Sequence, residues 1–163
     1  MSYGYYEDCT VGDTDELGSY LFTAEAIKAF AAKYDPQAFH LDEAAAEIGP
    51  FGRLTASGWH TASVMMKLVV ERMKAAAERC AAEGLPKVDP GPSPGFEGLV
   101  WLKPVFAGDR LTYRSEVVDK RPLASRPEWG LAQQTVSAFN QDGEEVFRMR
   151  GKVLLRRRGA AAG

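Results

Sequence analysis

Asp35 and His40 stand five residues apart with Pro36 between them. In a continuous helix that spacing would splay the two side chains apart. Across a helix end and a proline turn it lets both reach one water molecule. A carboxylate accepts a proton, and an imidazole holds, accepts or donates one near neutral pH, so the pair has the makings of general acid–base work. On spacing alone a plainer reading stands beside it: an aspartate before proline ends many helices, and a lone histidine is often structural.

A second place for chemistry is Ser57-Gly58, at the head of a long apolar stretch. A helix N-terminus presents backbone N–H groups with no intrahelical acceptor and a partial positive charge. Glycine there lets a ligand carbonyl approach the backbone closely. An N–H so placed can stabilise a carbonyl oxygen that gains negative charge during reaction. Plain helix capping by Ser57 explains the same residues equally well. His60, two residues into that helix, faces away from the Gly58 N–H and reads as structural or ligand-lining. No Cys/His/Asp cluster has zinc spacing, so no metal is expected. Neither GxGxxG nor GxxxxGK[ST] occurs. Ser57 lacks the G-x-S-x-G setting of a hydrolase nucleophile.

These residues need elements to hold them. Thr23 is suited to cap a helix, and Ala26, Ile27, Phe30, Ala31 and Tyr34 recur at helical spacing, which predicts an amphipathic helix over 24–34 ended by Asp35-Pro36. Asp42 is placed to cap a short helix reaching Ala46. A mostly buried helix is predicted from Trp59 to Ala82, stopped by Gly84. Strands are predicted at 17–22, 99–102, 111–118, 129–139 and 145–155, the last two joined by a turn at Asn140-Gln141-Asp142-Gly143. Residues 84–95 read as a Pro/Gly-rich loop. One strand, then helices, then about four consecutive strands give an α+β fold, with a curved antiparallel sheet around one long helix.

The 163 residues suit one domain over 1–158, with a disordered small-residue tail at 159–163. An apolar fraction of 45% supports a real core. A net charge of −2 argues against general nucleic-acid binding. The N-terminus lacks a basic region followed by an apolar one, and the apolar stretch near 64–70 is too short and too charged to span a bilayer. Cys9 and Cys80 have no motif spacing and read as free thiols. A soluble cytoplasmic protein with no membrane partner is expected.

With Asp35, Pro36, His40 and Ser57-Gly58 in hand, the chain resembles the MaoC-type dehydratases, also called R-specific enoyl-CoA hydratases or hydratase-2. Their motif is an Asp, an Asn or similar, Pro, one or two residues and His, with an Ala/His/Ser-Gly segment opening the central helix. The stretch from Gly98 through Lys103-Pro104-Val105 to Gly108-Asp109 resembles the family's strand and turn ending in Pro-V-x-x-G-D, and Phe139 to Gly143 resembles its last hairpin. The similarity runs from about Tyr6 to Arg157. Two departures stand out. Ser57 occupies a place where histidine is frequent, and Gln37 one where asparagine is.

The resemblance implies a hot-dog fold, a homodimer or dimer-based oligomer, and acyl-CoA bound near the subunit interface. It implies that Asp35 and His40 activate the water that adds at C3 of an enoyl thioester, that one of them delivers a proton to C2, and that Gly58, with Ser57, polarises the thioester carbonyl. No separate cofactor is then needed, because coenzyme A is part of the substrate. Its phosphates call for basic residues, for which Arg53, Lys103 and Arg156 to Arg158 are candidates. Two other functions remain compatible with this reading: a hot-dog thioesterase, and an acyl-CoA binding module without turnover.

Overall fold

The computed structural model describes residues 4–85 and 91–159. Five strands, β1 (Thr14–Leu21), β2 (Phe96–Trp101), β3 (Arg110–Pro122), β4 (Trp129–Phe139) and β5 (Glu145–Arg156), form one antiparallel sheet in the order β1-β3-β4-β5-β2. The helices are α1 (Ala24–Tyr34), α2 (Ala38–Leu41), α3 (Glu43–Glu47) and the long α4 (Gly58–Ala82). The sheet curves around α4, which is the hot-dog fold.

Alternation on β3 and β4 turns Leu111, Tyr113, Val136 and Ala138 inward, where α4 meets them with Val64, Met65, Leu68 and Val69. Each Val, Leu or Met side chain among them contributes roughly 1.5–3 kcal/mol on full burial, so this seam anchors the helix. It also sets the helix along its axis. The Tyr113 hydroxyl, wholly buried, donates to the Thr61 carbonyl at 3.0 Å, one turn from the start of α4.

The predicted helix over 24–34 is α1, with the Thr23 hydroxyl accepting from the Ala26 N–H at 3.2 Å. Asp42 caps α3 through the Ala45 N–H at 2.8 Å. The strand expected at 17–22 lies instead at Thr14–Leu21. A bulge between Glu16 and Gly18, where Gly18 has φ +131, breaks the apolar rhythm, and Phe22 leaves the strand to bury itself completely. The third strand runs to Pro122, beyond the expected Val118. A register shift between Val117 and Asp119 ends the clean alternation, yet the charged residues that follow still pair with β4. Likewise β2 begins at Phe96, three residues before the apolar run. Part of the expected 84–95 loop, residues 86–90, lies outside the described residues, as does the expected tail beyond Gly159. Residues 6–8 form a 3-10 turn that the sequence pattern did not indicate.

Candidate active site

The end of α1 and the start of α4 meet at one cleft. Asp35 is the C-cap of α1, and Pro36 prevents the helix from continuing. Gln37 is then the N-cap of α2, a single helical turn where the sequence predicts only a proline turn. Its backbone joins the two candidate groups: the Gln37 N–H donates to the Asp35 carbonyl at 2.8 Å, and the His40 N–H donates to the Gln37 carbonyl at 2.9 Å. This compact turn brings His40 Nε2 to 3.3 Å from Asp35 Oδ2.

The rest of the frame comes from distant sequence. Residues 54–56 are sewn to the segment after β2: the Ala56 N–H donates to Val105 at 2.7 Å and the Ala107 N–H to Leu54 at 3.1 Å. That fixes the Thr55 carbonyl, which accepts from His40 Nδ1 at 2.6 Å. A carbonyl can only accept, so Nδ1 carries a hydrogen and proton exchange is left to Nε2, the nitrogen that faces Asp35. His40 is 5% exposed, so this orientation is held by packing as well.

Asp35 accepts hydrogen bonds on both oxygens. The Ser57 hydroxyl donates to Oδ2 at 2.6 Å, and Gln37 Nε2 donates to Oδ1 at 2.8 Å. Desolvation pushes its carboxyl up, but these two bonds and the nearby His40 outweigh it and hold the carboxyl below its ordinary range. Ser57 therefore has two roles. It caps α4 by accepting from the Trp59 N–H at 3.2 Å, and it fixes the carboxylate. The sequence predicts the cap and a share in the carbonyl-binding site, and not the bond to Asp35.

Gly58, the first residue of α4, lines the same cleft. A Cβ on it would lie 2.6 Å from the indole nitrogen of Trp101, so any larger residue here would have to displace that ring. The cleft, of about 500 Å³, is lined by Asp35, His40 and Gly58 together with Phe39, Phe51, Trp59 and Trp101. Polar reacting groups thus share the cleft with an apolar, aromatic wall, the usual composition of a small-molecule site. Sequence reading missed the aromatic wall. Its one visible signal was the tryptophan at 59, next to the candidate amide.

The other candidates separate clearly. His60, also 5% exposed, points away from the cleft and stacks on Phe30 at 4.6 Å and 3°. Of the basic candidates, Lys103 lines the cleft and pairs with Glu144 at 2.5 Å. Arg53 lies over the Phe106 ring at 4.5 Å. Arg157 and Arg158 pair with Glu7 and Asp8 of the N-terminal turn, and Arg156 lies over Trp129. The basic run therefore ties the chain's two ends together and does not line the cleft. Among the described residues no group of His, Cys, Asp or Glu could hold a metal ion, and no helix is long and apolar enough to cross a membrane.

The fold agrees with that of known proteins this chain is similar to. Residues 13–137 match the family model described as a MaoC like domain, and the chain belongs to that family. It is 38% identical to the MaoC-like dehydratase from Rhodospirillum rubrum, whose crystal structure superposes with a TM-score of 0.77 over 96% of this chain and 99% of that one. It is 26% identical to the (R)-hydratase from A. caviae involved in PHA biosynthesis, with a TM-score of 0.63 over 90% of this chain and 97% of that one. The protein YdeM of Bacillus subtilis (strain 168), itself of uncharacterized function, is 30% identical over 151 residues, spanning 93% of this chain and 98% of its own. Together these likenesses support addition or removal of water as the class of chemistry.

Proposed function

We propose that the cleft adds water to trans-2-enoyl thioesters of coenzyme A, or removes it from the corresponding 3-hydroxyacyl esters. The observation that carries this reading is the 3.3 Å approach of His40 Nε2 to Asp35 Oδ2 beside the amide end of α4. Asp35 stays a carboxylate near neutral pH and orients water by accepting its hydrogen bond. His40, with Nδ1–H fixed on Thr55, offers Nε2 as the proton acceptor. Water's oxygen bonds to C3 as its O–H bond breaks toward Nε2. The C2=C3 electron pair moves toward the thioester oxygen, where the Gly58 N–H stabilises it. The proton then passes from Nε2 to C2 as the carbonyl re-forms. Dehydration runs the same steps backwards. The reaction needs no resident cofactor, since coenzyme A arrives with the substrate.

The assembly proposed is a homodimer. Trp59, Met66 and Val70 on α4, with Phe96 and Val100 on the edge strand β2, leave apolar surface exposed for a second copy to cover. A cytoplasmic setting suits the two free thiols. The test of function is a panel of trans-2-enoyl-CoA esters differing in chain length and branching. The expected result is loss of the enoyl absorbance with formation of 3-hydroxyacyl-CoA. Release of free coenzyme A from saturated esters without hydration would replace this reading with a thioesterase, and binding without turnover would replace it with a binding module.

A further inference from the structure

We infer that Trp101 is a positioning residue for Asp35, acting through a directed chain of hydrogen bonds across the first peptide of α4. The indole Nε1–H donates to the Gly58 carbonyl at 2.9 Å. That carbonyl belongs to the Gly58–Trp59 peptide, whose N–H donates to Ser57 Oγ at 3.2 Å. The Ser57 hydroxyl in turn donates to Asp35 Oδ2 at 2.6 Å. A carboxylate only accepts, so the single hydroxyl hydrogen of Ser57 must lie on this last bond, leaving its lone pairs for the Trp59 N–H. Every donor therefore points the same way, from the indole toward the carboxylate. An amide that accepts at oxygen donates more strongly at nitrogen, so such a chain strengthens along its length. The Thr61 hydroxyl adds a second donor to the same Gly58 carbonyl at 2.6 Å.

The chain ends on a chemically significant atom, for Asp35 Oδ2 is the oxygen that faces His40. His40 is also the ionisable group that acts on Asp35; Ser57 and Gln37, its other partners, are neutral. The outer end is equally well defined. Trp101 packs against the bare Cα of Gly58 and meets Trp59 edge to face at 5.4 Å, yet it is 44% exposed on the cleft wall. A packing residue at that spot would need only the ring. Here the indole N–H is committed as well, and the group it commits to leads to the carboxylate.

The kinetic half of the test rests on the proposed hydratase activity; the spectroscopic half does not. The protein has three tryptophans, so the Trp101 indole N–H signal in a ¹⁵N-labelled sample is assigned by its loss in Trp101→Phe, which keeps a ring in place. In the wild type that signal should move with pH as Asp35 titrates, and the movement should disappear in Asp35→Asn and in Ser57→Ala. In turnover assays Trp101→Phe should lower kcat by about three- to tenfold with KM within about twofold, and should move the acid limb of the pH profile upward. Added to Ser57→Ala, it should cost nothing more, because the chain is already cut. An indole signal indifferent to pH, or one that still titrates in Ser57→Ala, overturns the inference. So do losses from the two substitutions that simply multiply. An inactive wild type with an Asp35-linked indole signal would sink the proposed function and leave the chain standing.

Discussion

The protein's two histidines are equally buried, and their surroundings make them chemically opposite. His40 sits in a polar turn between α1 and α4, with Nδ1 on the Thr55 carbonyl and Nε2 against Asp35. His60 sits two residues into α4 among Phe22, Phe30 and Tyr20, and its buried Nδ1 has no hydrogen-bond partner among the described residues. Burial drives the His60 imidazole down to about 4, so it stays neutral through the physiological range. Equal burial thus yields one ring poised beside a carboxylate and another serving as a flat apolar plate. Partners, and not exposure, decide whether a buried imidazole can do chemistry.

The comparison breaks most sharply on activity. Replacing His40 with Phe, or Asp35 with Asn, should lower kcat for enoyl-CoA hydration by roughly 10²–10⁴-fold, while His60→Phe should leave turnover within about twofold. Initial rates on one enoyl-CoA ester check all three, and normal turnover by either of the first two would remove the pair from the mechanism.

Stability against pH sharpens it next. The folded-state pKa of His60 lies below that of the unfolded chain, so its neutral form favours folding. That contribution is complete above about pH 6.5 and is lost as pH falls from there toward 4, by an amount on the order of 3 kcal/mol. Urea melts across that window should show the wild type losing stability relative to His60→Phe, which also removes an unpaired buried nitrogen. Parallel stability curves would mean that His60 is not held neutral by its cage.

Smaller effects separate the frame around His40 from the rest of the molecule. Gly58→Ala should displace the Trp101 ring and cost about 1–3 kcal/mol, read as a lower melting temperature and reduced turnover. Ser57→Ala removes a helix cap worth about 1 kcal/mol, a fall of roughly 2–4 °C in Tm, and also lets the Asp35 carboxyl rise, moving the acid limb of the rate profile upward. The smallest change expected is from Arg158→Ala. It loosens the contact with Asp8 at the chain ends and should leave KM for the CoA ester within about twofold. A large rise in KM would return the basic run to phosphate binding.

The end of α1 at Tyr34 to Pro36 was legible in the sequence because its signals are local. A helix with a clear apolar stripe and a proline that must end it need no knowledge of the rest of the chain. The bulge at Gly18 and the single turn of α2 were not legible, since each is a break in a pattern too short to establish one. The partners of the basic run at 156–158 were not legible for a related reason. A charge cluster advertises its sign, but its partners Glu7 and Asp8 lie some 150 residues away.

By itself, then, the amino-acid order determined the α+β plan, the long helix with glycine at its head, and the Asp35/His40 pair as the place to look. The plan and the helix follow from periodicity and steric rules that act over a few residues, whereas the pair was singled out by its resemblance to the MaoC-type motif. Tertiary structure alone decided that Thr55 sets the His40 tautomer, that Ser57 reaches back to Asp35, and that Trp101 from an edge strand covers Gly58. These contacts join residues 15 to 43 positions apart, and such distances are closed by how the sheet curves and the helix packs, which no local pattern records.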